Sequence, residues 1–272
     1  MLIRVGYEIG FDLSQPTATL MMLYVHPSRA SSIREPERLE VKPDVPVSEY
    51  IDPFGNRCGR LFAPAGRLVL RNDAIVEDDG QTDPQGWDAP QHEVRDLPDD
   101  VLQFLLPSRY CEVVSELSDF AASLFNQVAP GWPRVQAICD FVNQHVRFDY
   151  LQARANRTAL ETYRERIGVC RDFTHLALTL CRCMNVPARY CTGYLGDIGV
   201  PSSPHPMDFS AWFEVFLGGT WWAFDPRNNI PRIGRILMAR GRDAADAALT
   251  TTFGANQLAS FNVWTHEVFD TR

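Results

Sequence analysis

The sequence predicts an α+β protein of two domains, an N-terminal β-sandwich followed by helices packed on an antiparallel sheet. In the first hundred residues, apolar and polar side chains alternate between turn residues, which is typical of strands. Later, apolar residues recur at three- and four-residue spacing, which is typical of helices. The 272 residues, 45% of them hydrophobic, are enough for two cores. We therefore expect one domain over residues 1–103 and a second over residues 104–272.

In the first domain, the alternation predicts strands over residues 18–26 and 66–76. Residues 52–56 carry Asp, Pro and Gly and are expected to form a turn that leads into another strand. Residues 77–98 are rich in Asp, Gly, Gln and Pro, which predicts an exposed connection.

The second domain begins with helices. Ser115 is a candidate cap for the first, Pro133 can open the second, residues 156–161 suggest a third, and the fourth begins at or just before Cys170. Strands then dominate, with one more short helix. The strands are expected at residues 188–195, 211–217, 221–225 and 260–268, and the helix at residues 242–249.

Composition excludes several classes of function. The net charge of −8, without a long basic run, argues against binding to nucleic acid or to an anionic membrane surface. The N-terminus lacks the pattern of a signal peptide, and no apolar run approaches the roughly 20 residues that span a bilayer, so we expect a cytoplasmic protein. Nothing in the sequence indicates the oligomeric state.

The seven cysteines are an odd number and indicate small buried side chains in a reducing compartment. Cys181 and Cys183 are separated by one residue, whereas zinc ligands are usually two to four residues apart, so zinc is the weaker alternative. We expect neither a metal nor a cofactor.

Cys170 is the candidate nucleophile. The first turn of a helix favours a thiolate through its free backbone N–H groups and the positive end of the helix dipole. Gly218-Gly219 predicts a hairpin that brings position 210 opposite or diagonal to Asp225. The simpler alternative is an ordinary hairpin in which Asp225 only caps the turn at Pro226.

Three segments together resemble the transglutaminase-like branch of the papain-type thiol enzymes. They are Gly168-Val169-Cys170-Arg171-Asp172-Phe173-Thr174-His175-Leu176, Ser210-Ala211-Trp212-Phe213-Glu214-Val215-Phe216 and Trp221-Trp222-Ala223-Phe224-Asp225-Pro226. The opening β-module also resembles the N-terminal domain of bacterial members. The resemblance implies a papain-like core and a site of Cys170, the residue at position 210 and Asp225.

Position 210 departs from the family pattern, which has His before the Ala-Trp of the strand where this chain has Ser210. A serine hydroxyl does not accept a proton usefully near neutrality. His205 is the candidate substitute base, whereas His175 and His145 are expected to be structural. With only the helix terminus to favour the thiolate, we predict that the thiol pKa of Cys170 lies nearer to about 8 than to the roughly 3–4 of a His-paired thiol.

Asp172, Trp212 and the arginines of residues 227–242 each have a structural interpretation and a functional alternative. Asp172, in the first turn of the Cys170 helix, is expected to act in capping, with ordering of the site as the alternative. Trp212 is expected in the core or a cleft wall, with a substrate groove as the alternative. The arginines of residues 227–242 are expected on the solvated surface, with binding of a carboxylate or an interdomain acid as the alternative.

The resemblance implies acyl transfer through a thioester, with a peptide or protein as substrate. Because of Ser210, a catalytically impaired domain that binds peptides or protein partners is a second hypothesis. A purely structural adaptor is a third.

Overall fold

The first part of the chain is built from strands. The computed structural model describes residues 1–203 and 206–269. Its first strands are β1 (Leu2–Leu13), β2 (Thr17–Met21), β3 (Ile33–Glu35), β4 (Glu40–Lys42), β5 (Ser48–Ile51), β6 (Arg57–Ala63) and β7 (Gly66–Glu77).

Helices and strands alternate in the remainder. They are α1 (Asp99–Leu102), α2 (Glu116–Phe125), α3 (Trp132–His145), β8 (Arg147–Phe148), α4 (Ala159–Glu165), β9 (Ile167–Gly168), α5 (Cys170–Cys183), β10 (Ala188–Tyr194), β11 (Ser210–Leu217), β12 (Thr220–Phe224), β13 (Ile236–Gly241), β14 (Thr250–Thr252) and β15 (Asn256–Val268). Single 3-10 turns occur at Pro27–Ser32, Val94–Asp96, Gln103–Leu105 and Tyr150–Gln152. Within the described ranges, every helix is too short or too polar to span a bilayer.

Two sheets form the predicted sandwich. One has the order β15-β1-β7-β3, with β4 also paired to β7, and the other has the order β14-β2-β6-β5. Apolar side chains of β1, β2, β6 and β7 fill one core between them. The pairing of β1 with β15 runs from Leu2 opposite Val268 to Leu13 opposite Asn256. The last two strands of the chain thus complete the sheets of its first part, while a division at residue 103 stays a prediction.

A third sheet, β12-β11-β10-β13, supports the helices of the second core. The helix α5 lies at its centre and packs against α2, α3, α4, β10 and β11. Its stripe of Leu176, Leu180 and Met184 is buried, as the helical spacing predicts. The helix thus lies with its apolar side in the second core, against β10 and β11. The predicted α+β class, a β-sandwich followed by helices on an antiparallel sheet, is confirmed.

Local signals account for several element ends. The Ser115 side chain accepts a hydrogen bond from the Leu117 N–H and caps α2, and Pro133 lies in the first turn of α3. At the β11–β12 hairpin, Gly218 and Gly219 have φ of 60° and 84°. Two successive positive φ values define the type I′ turn, which glycine adopts without strain.

The predicted helix at residues 242–249 is wrong, because this segment forms turns before β14. The Asp243 carboxylate accepts hydrogen bonds from the Ala245 and Tyr110 N–H groups, and the Asp246 carboxylate accepts from Arg242. Short acidic side chains that bond nearby backbone N–H groups stabilise turns in place of a helix. The third predicted helix begins later than expected, at Ala159, with Thr158 as its cap.

Candidate active site

Cys170 is the first residue of α5, as the sequence predicts. Its side chain is half-buried, and its Sγ accepts a hydrogen bond from the Ala211 N–H of β11. The N–H groups of a first helical turn have no acceptor within the helix, so they can stabilise negative charge on a bound carbonyl oxygen. The Cys170 thiol therefore lies between the N-terminus of α5 and the start of β11.

Asp172 fixes the start of α5. Its Oδ2 accepts the Val169 N–H at 2.9 Å and pairs with Nη1 of Arg157 at 2.9 Å. Both of these side chains are buried. Gly168 is required beside them, because a Cβ there would lie 2.6 Å from the Asp172 Cβ. The capping and ordering hypotheses for Asp172 therefore describe the same contacts.

Ser210 and Cys170 line one cleft of about 360 Å³, which we call the thiol cleft. Ser210 is the first residue of β11 and lies opposite Gly193 of β10. Its carbonyl oxygen accepts a hydrogen bond from the Thr192 hydroxyl at 3.0 Å, which anchors the strand start. The structure thus brings together the predicted nucleophile and Ser210, the residue at which the sequence differs from the expected pattern.

Asp225 follows β12. Its side chain is buried and does not line the thiol cleft. Phe213 lies opposite Phe224, so continuation of this register puts Asp225 diagonal to Ser210. Its Oδ1 accepts the backbone N–H groups of Arg227 and Asn228. The turn-capping alternative for Asp225 therefore describes real contacts, but they involve only one carboxylate oxygen.

The other oxygen of Asp225 binds a cation. Oδ2 accepts from Nη2 of Arg235 at 3.0 Å and from Nδ2 of Asn228 at 2.7 Å. Burial acts to raise the pKa of Asp225, but the Arg235 charge and the Asn228 hydrogen bonds overcome it and hold that pKa below its usual value. Asp225 is thus an ionised carboxylate whose partners are already in place.

Arg235 joins two parts of the chain. Its Nε lies 2.8 Å from Oδ2 of Asp83, in the connection before α1, and its guanidinium lies 5.2 Å from the Trp212 ring centre. Trp212 is buried in a small cluster rather than exposed in a groove. For Arg235, the interdomain-acid alternative describes the contacts, whereas the solvated-surface prediction is wrong because the side chain is buried between two carboxylates.

Asp208 was not identified from the sequence, although it lines the thiol cleft with Cys170 and Ser210. Burial raises the pKa of its carboxyl, against the opposing effects of the Phe209 N–H and the Arg227 charge. One sequence signal was present: Asp208 is two residues before Ser210, a spacing that puts side chains on one face of extended backbone. The buried partner Arg157 had no comparable signal.

The pKa of the Cys170 thiol is raised to about 11. Burial is the main cause and the charge of Asp208 adds to it, while Arg227 and the Ala211 N–H act in the opposite direction. The pKa is far from the roughly 3–4 of a His-paired thiol, as predicted, but it lies above the expected value of about 8 because that prediction counted the helix terminus and not the burial. Because burial and the Asp208 charge outweigh the Arg227 charge, this site disfavours the thiolate near neutrality.

Neither described histidine considered as a base faces the thiol. His175 is buried between Tyr110 and Tyr190, and its Nε2 accepts the Ala244 N–H. Burial lowers the pKa of this imidazole well below its usual value. His145 stacks on Tyr163 and bonds its carbonyl oxygen. Both have the expected structural contacts, and His205 lies outside the described residues.

Among residues 1–203 and 206–269, no group of three or more His, Cys, Asp or Glu side chains is arranged to hold a metal ion. Cys181 is buried and Cys183 is half-buried on the same helix, and each is a free thiol.

Known proteins are similar to this chain over most of its length. A crystal structure from Cytophaga hutchinsonii, described as a candidate cysteine protease, is 31% identical, with a TM-score of 0.84 over 98% of this chain and 90% of that one. An uncharacterised protein of Mycobacterium leprae is 28% identical over 90% of both chains. An uncharacterised protein of Mycobacterium tuberculosis is 28% identical over 72% of this chain and 68% of that protein.

The family model of the transglutaminase-like superfamily matches residues 118–226. This segment holds Cys170, Ser210 and Asp225, and the C. hutchinsonii relative extends the likeness over nearly the whole chain. The chain belongs to the transglutaminase-like superfamily.

Proposed function

We propose that this protein transfers acyl groups through a thioester on Cys170, acting on an amide or activated acyl group of a peptide or protein. The observation that carries the proposal is the position of the thiol, at the first residue of α5 and open to the thiol cleft. Membership of a family that includes thiol enzymes supports it, as does the description of the C. hutchinsonii relative as a candidate cysteine protease.

In the first step, Sγ of Cys170 bonds to the carbonyl carbon and the carbonyl electrons move to its oxygen. The N–H groups at the start of α5 would stabilise this oxyanion. When the carbonyl re-forms, the bond to the leaving group breaks and a thioester remains, while the thiol proton leaves with the departing group or through water. Attack by water or an amine then releases the acyl group and restores the thiol.

The reaction is expected to be slow for amides. A thiol of pKa about 11 is mostly protonated at neutral pH, and an amine leaving group must itself gain a proton. We propose that Ser210 occupies the position of the family histidine, so that no imidazole supplies this proton transfer from position 210. An activated ester, whose leaving group departs as an anion, avoids that requirement.

The test is a burst experiment with p-nitrophenyl acetate at pH 9. We expect release of about one equivalent of p-nitrophenolate per chain, followed by slow turnover, and an acetyl group on Cys170 by mass spectrometry. Cys170→Ala abolishes the burst. Cys183→Ala is the matched control, because Cys183 is a half-buried thiol at the far end of the same helix. A burst that survives in Cys170→Ala contradicts the proposal.

The second candidate function is a catalytically impaired domain that binds a peptide or protein. The raised pKa of the Cys170 thiol favours this function. The hydrogen bond from Arg235 to Asp225 also favours it, because that carboxylate already has a partner. Peptide-library binding that is the same for the wild type and Cys170→Ser, together with no burst in the wild type, would support this function over acyl transfer.

A further inference from the structure

A second cavity, of about 660 Å³, lies next to the thiol cleft. The two spaces share walls that include Tyr190, Thr192, Phe209, Leu249 and Phe261. These shared walls put the larger space beside the thiol cleft, within reach of a group bound at Cys170. We call this second space the apolar chamber.

The walls of the apolar chamber come from distant parts of the chain. The lining includes Ile9 and Phe11 of β1, Leu258 and Phe261 of the neighbouring strand β15, and alanines of the turns at residues 244–248. The small alanine side chains leave the chamber wide. Leu258 and Phe261 are 54% and 39% exposed, an unfavourable position for large apolar side chains unless something covers them.

Charge in the apolar chamber is already neutralised. Among its described lining residues, Arg171 is the only charged one. Its Nη1 donates to the Ala155 carbonyl at 3.0 Å, and its Nη2 lies 3.2 Å from Oδ1 of Asp172. These contacts tie the guanidinium to the cleft wall and to the start of α5. The chamber therefore fits an uncharged occupant.

We propose that the apolar chamber is the specificity site of the thiol cleft, and that it binds the bulky apolar side chains of a peptide segment next to the carbonyl attacked by Cys170. The proposal rests on the proposed function and specifies its substrate class. The volume lies within the range of about 300–1,000 Å³ typical of ligand sites, where apolar walls dominate and few polar groups set orientation. The walls that it shares with the thiol cleft favour a role at that site.

The test compares two alkylating agents on the full chain at pH 10, iodoacetamide and N-benzyliodoacetamide. The modification rate of Cys170 is followed by peptide mass spectrometry. We expect the benzyl reagent to react about tenfold faster with the wild type, because its ring is removed from water in the chamber. The ratio of the two rates cancels changes in the reactivity of the thiol itself.

Ala248→Phe fills the chamber and is expected to reduce this ratio to about one, the value without ring burial. Ala122→Phe, on the outer part of α2, is the matched control and keeps the wild-type ratio. Phe261→Ser removes an exposed part of the wall and also lowers the ratio, which provides a second variant if Ala248→Phe does not fold. A wild-type ratio of one, or a ratio retained in both chamber variants, overturns the proposal.

Failure of this proposal is distinguishable from failure of the proposed function. Alkylation needs a thiol and space for the reagent, but no acyl transfer. A benzyl preference without a p-nitrophenyl acetate burst would support the chamber and contradict the enzyme. A burst without the preference would contradict the chamber alone.

Discussion

Arg235 and Asp225 form a buried ion pair in which Nη2 of the arginine lies 3.0 Å from Oδ2 of the aspartate. The same guanidinium binds Asp83 at 2.8 Å, so one cation is shared by two carboxylates. This contact gives the Asp225 carboxylate a buried cationic partner. It also ties the connection before α1 to the end of the β11–β12 hairpin.

Removal of this cation should destabilise the fold. Arg235→Met leaves buried Asp225 and half-buried Asp83 without their common partner, and loss of one member of a buried pair typically lowers the free energy of unfolding by about 3–5 kcal/mol. Urea denaturation measures the change. Arg164→Met is the control, since Arg164 pairs with Glu116 on the surface and should have little effect. Equal stability of Arg235→Met and the wild type would contradict the assignment.

The reactivity of Cys170 should follow an unusually alkaline pH profile. The thiolate is the nucleophile, and a pKa raised to about 11 keeps the thiol protonated from pH 7 to pH 9. We therefore expect the iodoacetamide rate to increase about tenfold per pH unit through this range and to approach half of its plateau near pH 11. A plateau reached below pH 8 would show that a proton acceptor or cation acts on this thiol.

Asp208 should control that pKa through its charge. Asp208→Asn removes a negative charge that opposes the thiolate, so we expect the alkylation rate at pH 8 to increase about threefold to tenfold, equivalent to roughly 0.5–1 pKa unit. Asp119→Asn, an exposed carboxyl on α2, is the control. A decrease in rate would instead identify Asp208 as the proton acceptor for the thiol.

The sequence predicted those features that depend on local patterns. The start of α5 at Cys170, the Ser115 cap and the Gly218-Gly219 turn each follow from a few adjacent residues. The nearness of Ser210 to Cys170 followed from hairpin register together with the family resemblance.

Features that depend on long-range packing could not be predicted in this way. Pairing of β15 with β1 joins the two ends of the chain, and the Arg235–Asp83 contact joins residues 152 positions apart. The thiol pKa depends on burial, which a linear pattern does not give. The segment at residues 242–249 has helical composition, but Asp243 bonds the distant Tyr110 N–H and stabilises turns instead.

A histidine at position 210 should activate the thiol. Ser210 lines the same cleft as Cys170, so the imidazole of Ser210→His can lie beside Sγ and form a thiolate–imidazolium pair. If the thiol pKa falls from about 11 to about 7, the thiolate fraction at pH 7 increases by more than a thousandfold. A less basic thiolate is also less nucleophilic, so the expected gain in alkylation rate is on the order of 100-fold.

Two further variants test whether the gain in alkylation rate comes from an imidazole beside Cys170. Ser123→His places the same residue on the exposed face of α2 and should leave the alkylation rate of Cys170 unchanged. Asp225→Asn in the Ser210→His background should reduce the gain, because Asp225 is diagonal to position 210 and can orient the new imidazole while it still binds Arg235. A folded Ser210→His variant with the wild-type rate at pH 7 would show that position 210 does not act on the thiol. In that case His205 would become the next position to substitute, and loss of alkylation in His205→Ala would identify it as the base.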